Sequence, residues 1–299
     1  MKNKTRDMTV GSPVRHILLF ALPALIGNVF QQIYNLADSV IVGRFVGANA
    51  LAAVGATSSI TFLFFALCNG IAGGGGIISV PTYFLAGLPA HLALGTNKLS
   101  SCIGTTVSTA RFIKGGFVDW KLGVPSIVLA LVGAHLGTRL QLALDERWLK
   151  WLLLVVLPLV AFVVFRQKNL PEERGEIAPG RQALIVLSAS LIVGAYDGFY
   201  GPGTGTFLIL IFCQLGKMDL RTASGNVKLV NLASNVGALA TSLMNGKVFL
   251  VLGLIGAVSS IAGHYIGSGL AIKDGSKIVR PIILLVLALL AVKVISELI

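Results

Sequence analysis

Two lysines stand alone in apolar surroundings, Lys98 within LGTNKLSS and Lys228 within GNVKLVN, and polar side chains gather around both. Thr96, Asn97, Asn226, Asn231 and Asn235 lie within a few positions of them, and Asp197 directly precedes the glycine-rich stretch DGFYGPGTGTFLI at residues 197–209. A second glycine run, GIAGGGGIISVP at residues 70–81, places Gly74 and Gly75 in another apolar setting. Ammonium groups beside the exposed N–H groups of interrupted helices suit the binding of a small anion. Asp197 would serve either as a proton carrier or as a counter-ion for Lys228.

Composition decides which solvent surrounds these residues. The chain has 299 residues, 55% hydrophobic and 12% charged, and its mean hydropathy is +0.85. A soluble domain of this length could not hide so much apolar surface, so the chain is an integral membrane protein. Apolar runs long enough to cross about 30 Å of hydrocarbon as helices lie near 17–37, 50–72, 122–138, 148–165, 183–196 continuing through 206–215, 226–243, 248–270 and 279–297. Period-2 alternation is absent, which argues against a β-barrel. The net charge of +12 sits in short caps between apolar runs, as in membrane loops, so the partner is a lipid bilayer and not nucleic acid. Cys68, Cys102 and Cys213 are isolated and the four histidines are scattered, so neither a metal site nor a cofactor is expected. The first apolar run is long and lacks a small-residue cleavage site, which makes it a span rather than a cleavable signal.

In this setting an isolated lysine needs a reason. An ionisable group inside the bilayer costs about 2.5–3.5 kcal/mol even on the lenient insertion scale, and the plain alternative is that the side chain reaches out to the headgroups, since Lys98 is expected to begin its helix. A repeat supports the first view. Shifting the chain so that Lys98 falls on Lys228 gives 13 identities over residues 93–140, including five glycine pairs such as Gly95 with Gly225 and Gly133 with Gly263. Each half also begins with a glycine-broken segment, and Pro202 removes a further donor from the second. Unpaired backbone at membrane depth is tolerated only where protein covers it or where it lines a polar cavity. Gly74, Gly75, Gly203 and Gly205 are therefore expected around the same site as the lysines, with close packing of small residues as the plainer alternative.

Residues 70–299 resemble the sulfite exporter TauE/SafE family through AGGGGIISVP, GLPAHLALGTNKLSS, GGFVDWKLG, YDGFYGPGTGTF and ASGNVKLVNLASNVGAL. The resemblance implies a duplicated helical bundle, with repeats near 70–166 and 183–299, that moves sulfite, sulfonates or related anions across the cytoplasmic membrane. Residues 1–69 are different. NLADSVIVGRFVGANALAAVGA resembles the first two helices of the multidrug and toxic-compound extrusion (MATE) family, so the chain reads as a hybrid joined near residues 70–76. In the exporter family an acid often precedes the glycine run, as Asp197 does in the second half, whereas the first half carries Asn69. Asp38 and Gln32 would matter in an intact extrusion protein, but this portion is too short to form a pathway of its own.

The expectation is an all-α polytopic transmembrane bundle with two long internal repeats and glycine-broken helices. Its halves would rock to expose an anion held by Lys98, Lys228, Asn97, Asn226, Asn231 and the broken-helix amides. Methionine at either lysine is expected to weaken binding without unfolding the bundle, with Lys228 mattering more. Four basic residues before the first span place the N-terminus inside, while equal numbers of Lys and Arg on the two sets of core loops leave the core's orientation and its oligomeric state open. The alternatives are a fragment of a multidrug efflux protein and a hybrid without activity. An enzyme is not expected, because no HExxH, nucleophile elbow or paired-Asp motif is visible.

Overall fold

The computed structural model describes residues 66–67, 70–71, 80, 83, 88–145, 173–201, 203–275, 277–279, 281–282 and 285, all within one compact unit, Thr57–Ile299. Among the described residues there are helices and no strands. In chain order these residues form α1 (Ala90–Lys114), α2 (Trp120–Ala143), α3 (Pro179–Phe199), α4 (Thr204–Leu210), α5 (Leu220–Met244) and α6 (Leu250–Asp274). A π-helical turn, Ile211–Leu215, extends α4. The expected spans at 17–37 and 148–165, with Gly74 and Gly75, lie outside the described residues.

Local chemistry explains the boundaries. Pro89 precedes α1, and Pro179 opens α3, where a missing N–H leaves no helical bond unmade. The Asp119 carboxylate accepts from Lys121 N at 3.1 Å at the start of α2, and Asp219 accepts from Thr222 N at 2.9 Å at the start of α5. Each cap satisfies one of the amides that a first turn leaves unpaired. Asp219→Ala is therefore expected to lower the stability of the bundle by about 1 kcal/mol, whereas Asp219→Asn retains most of it. Thermal unfolding in detergent reads the difference, and equal midpoints for the two variants would remove the cap argument.

Helices α2, α3 and α6 are long and apolar enough to cross a membrane. Val124, Val128, Val132, Leu136 and Leu140 form an exposed stripe along one side of α2, and α6 exposes Leu254, Ile255, Val258, Ile261 and Ile266. Surfaces of this size are ruinous in water and suited to lipid. Helices α1 and α5 have the opposite character. They pack against each other and bury Thr96, Asn97, Lys98, Asn226, Lys228 and Asn231, while α6 covers α1 and α2 covers α5.

This arrangement corrects one sequence expectation, that Lys98 begins a helix. In fact Lys98 lies well inside α1 and only 4% exposed, and Lys228 is fully buried in α5, so neither reaches the headgroups. The polar run TNKLSSC lowers the hydropathy of α1 below that of a lipid-facing helix because this helix faces protein.

The packing contacts recur under the shift that lays Lys98 on Lys228. Helices α1 and α5 are each 25 residues long and begin at matched positions, Ala90 and Leu220, as α2 and α6 do at Trp120 and Leu250. Gly95 of α1 lies so close to Lys247 O, in the loop before α6, that a Cβ would overlap it, and Gly225 of α5 stands in the same relation to Phe117 O, in the loop before α2. Gly123 faces Leu229 and Gly253 faces Leu99. Arg111 donates to Tyr265 O at 2.7 Å, and at the shifted positions His135 Nδ1 lies 2.9 Å from Thr241 Oγ1. Each polar helix thus packs against the loop that leads into the helix covering it.

Candidate functional site

The break between α3 and α4 brings the site together. Helix α3 closes with Tyr200 N and Gly201 N both directed to Tyr196 O, at 2.8 and 3.2 Å. Gly201 then takes φ +95° and Gly203 φ +82°, a region that L side chains rarely enter, and α4 starts at Thr204. The turn leaves Asp197, on the last turn of α3, beside the first residue of α4.

Asp197 is buried and fully engaged. Its Oδ1 lies 2.9 Å from Lys98 Nζ and 2.9 Å from the Thr204 hydroxyl, and its Oδ2 accepts from the Ser234 hydroxyl at 2.5 Å. Lys98 also donates to Asn235 Oδ1 at 3.2 Å. Asn235 in turn donates to Asn231 Oδ1 at 3.3 Å, one helical turn earlier on α5, and its Nδ2 lies 3.5 Å from Thr105 Oγ1 of α1. Thr105 and Asn235 are themselves matched by the shift that relates the two lysines. Gly201 has no side chain for a second reason: a Cβ there would sit 2.9 Å from both Asp197 Oδ1 and Lys98 Nζ, against the ion pair itself.

Such a pair is tolerable inside a membrane protein because each charge has an opposite partner and polar groups satisfy what is left. The geometry also changes the sequence assignment of Asp197. The expected counter-ion for Lys228 is instead the partner of Lys98, because the end of α3 meets α1 and the Ser234–Asn235 turn of α5.

The other expected residues fall into separate places. Asn231 joins the ion-pair network. Lys228 is buried on the same helix, and its carbonyl accepts from Thr109 Oγ1 of α1 at 3.1 Å. Asn97 is buried beside Lys98, with its carbonyl accepting from Ser100 Oγ at 3.0 Å. Asn226 donates to Thr222 O at 3.0 Å, and its Oδ1 is buried without a hydrogen-bond partner among the described residues. Gly203 caps α4, and Gly205 is buried in its first turn. Thr96 accepts from Phe249 N at 2.9 Å and so holds the start of α6 rather than the ion pair. Ser234, Thr204, Thr105 and Gly201 are site residues that sequence reasoning passed over. A serine or threonine is common in any helix, and its role becomes visible only when the partner carboxylate is in place.

The same helices carry a second polar group. His264 of α6 is fully buried, its Nδ1 lies 3.0 Å from Ser108 Oγ of α1, and its Nε2 has no hydrogen-bond partner among the described residues. It occupies the space left by Gly104, where a Cβ would come within 2.7 Å of the imidazole. The shift that relates the lysines matches His264 to Ala134 and Gly104 to Ser234, so at each of these positions one half carries a polar side chain and the other a small apolar residue.

Comparison with known proteins finds membrane transporters. The chain is 32% identical over 246 residues to "Probable membrane transporter protein ORF9" of Sinorhizobium sp, covering 80% of this chain and 93% of that protein. It is also 32% identical over 230 residues to "Probable membrane transporter protein YfcA" of Escherichia coli (strain K12), covering 77% and 85%. A different likeness is to "Probable multidrug resistance protein YoeA" of Bacillus subtilis (strain 168), 30% identical over 130 residues, 44% of this chain but only 24% of that protein. The MatE family model matches residues 23–83 and overlaps the larger family match, which begins at residue 58, so the expected join at 70–76 falls within sequence that both families fit. No solved structure matches the chain. The model described as "Sulfite exporter TauE/SafE" matches residues 58–294, and with relatives aligned over most of their length the chain belongs to the sulfite exporter TauE/SafE family.

Proposed function

We propose that the protein is a multi-pass permease of the cytoplasmic membrane that carries sulfite, a sulfonate or a related small anion. The observation that carries this reading is the buried ammonium of Lys98, held between Asp197 and Asn235 where α1, α5 and the α3–α4 break converge. A cation at that depth is stabilised by whatever anion stands beside it, and a transported anion can take that place. Asn97 from the first half, and Lys228, Asn226 and Asn231 with the backbone at Gly203 and Gly205 from the second, complete the site in this reading, and Gly74 and Gly75 are assigned to it by their place in the sequence alone. The contacts that recur at matched positions support two repeats that rock against each other about the site. In this reading residues 1–69 are the MATE-like segment, and residues 70–299 the transporting core.

Uptake into proteoliposomes tests the proposal. The purified chain is expected to carry sulfite and methanesulfonate at rates well above those of protein-free liposomes. Gly201→Ala places a methyl group against both charges in a strained backbone conformation, and a strain of about 1–3 kcal/mol corresponds to a loss of about 5- to 150-fold. Uptake by the parent equal to that of empty liposomes sinks the permease reading. Parental rates in Gly201→Ala would remove the ion pair from the pathway.

A further inference from the structure

We propose that Asp197 is the proton-carrying group of this permease, and that each monovalent anion that takes up Lys98 travels with one proton on the Asp197 carboxylate. The inference rests on the permease reading and adds its coupling ion. It starts from charge balance. The resting pair is neutral, one ammonium and one carboxylate 2.9 Å apart, with both side chains buried. An arriving anion that engages Lys98 adds a second negative charge beside Asp197 in surroundings poor in water. One proton added to a carboxylate oxygen restores neutrality: Lys98 stays an ammonium, Asp197 becomes a carboxylic acid, and the anion replaces it as counter-ion.

The partners of Asp197 are suited to both states. The hydroxyls of Thr204 and Ser234, at 2.9 and 2.5 Å, donate to a carboxylate, and a hydroxyl can equally accept from a carboxylic acid. Lys98 has donors only, so the O–H of the acid is directed to the Ser234 or Thr204 hydroxyl, and the ammonium, no longer facing a charge, is drawn to the arriving anion. Asn235 Oδ1, at 3.2 Å, keeps hold of the ammonium during that exchange. The remaining surroundings offer little competition for the proton. From its own helix Tyr196 is the titratable group in electrostatic range of Asp197, with Tyr200 next to it in turn. Helix α2 approaches the end of α3 through Ala134 and Thr138, α4 contributes Thr204, and α5 contributes Ser234 and Asn235, none of which is charged. Among the described residues, Lys98 is the charged group in contact with Asp197.

Methanesulfonate is the probe, because a strong-acid anion stays monovalent at every pH used, whereas sulfite takes up a proton itself. In proteoliposomes of the full chain with a trapped pH dye, an outside acidic by about one pH unit is expected to drive about tenfold accumulation, with one proton entering per anion and no response to an imposed membrane potential. Accumulation that follows the potential and ignores the pH gradient overturns the proposal while leaving the permease standing. No methanesulfonate or sulfite uptake at all overturns both. Binding in detergent separates the role of the residue: parental affinity is expected to rise as pH falls, and the affinity of Asp197→Asn to be flat. A variant that keeps the parental pH dependence assigns the proton elsewhere, and if Asp197→Asn fails to fold the proton count of the parent decides alone.

Discussion

Lys98→Met unfolds or severely loosens the bundle, with a loss of about 3–5 kcal/mol and no measurable transport. The physical reason is the carboxylate left behind. Asp197 is buried beside α1, and Thr204 and Ser234 can solvate its charge but cannot neutralise it. Removing one member of a buried pair leaves an uncompensated charge, which is far worse than removing both. The double variant Lys98→Met/Asp197→Asn is accordingly expected to recover most of the lost stability while still failing to transport. Thermal unfolding in detergent measures the three proteins side by side. A parental midpoint for Lys98→Met would mean that the pair is not formed in the membrane. The prediction reverses the weighting that sequence alone supports, in which Lys228 matters more and neither methionine unfolds the chain. That weighting rests on the half of the chain around Lys228 retaining Asp197, the GPGTG element and Asn231; the fold pairs Asp197 with Lys98 of the other half.

Gly225→Ala, and separately Gly95→Ala, each destabilise the bundle by about 1–3 kcal/mol or more, because one methyl group meets a backbone carbonyl rather than a side chain. The Cβ at Gly225 would overlap Phe117 O, and the Cβ at Gly95 would overlap Lys247 O. A flexible side chain could step aside, but these carbonyls belong to the short connections that set the starts of α2 and α6. Repacking one of them moves a whole lipid-facing helix. Gly180→Ala is the matching control, since nothing lies within 4 Å of its Cβ at the start of α3, and it is expected to be neutral or stabilising by about 0.5 kcal/mol. Equal midpoints for Gly225→Ala and Gly180→Ala would remove the close approach from the account.

Terms that are additive along the chain account for what is legible in the amino-acid sequence. Hydropathy identifies a helical membrane protein. Motifs such as ASGNVKLVNLASNVGAL carry the family. The shift that lays Lys98 on Lys228 marks corresponding positions, at which α1 and α5 both begin, at Ala90 and Leu220. The same additive terms say nothing of what surrounds α1. Its TNKLSSC run is polar, and hydropathy takes no account of the neighbours that satisfy that polarity.

The partner of Asp197 depends on tertiary structure alone. Asp197 is much nearer in sequence to Lys228 than to Lys98, yet the α3–α4 turn, made possible by glycines at φ +95° and +82°, aims it at the more distant lysine. Ser234, Thr204 and Asn235 became site residues by the same route, because a hydroxyl or an amide acquires a role only from the charge it faces. Residue type sets which charges a chain must bury, but an ion pair is a distance between two helices, and that distance exists only once they have packed.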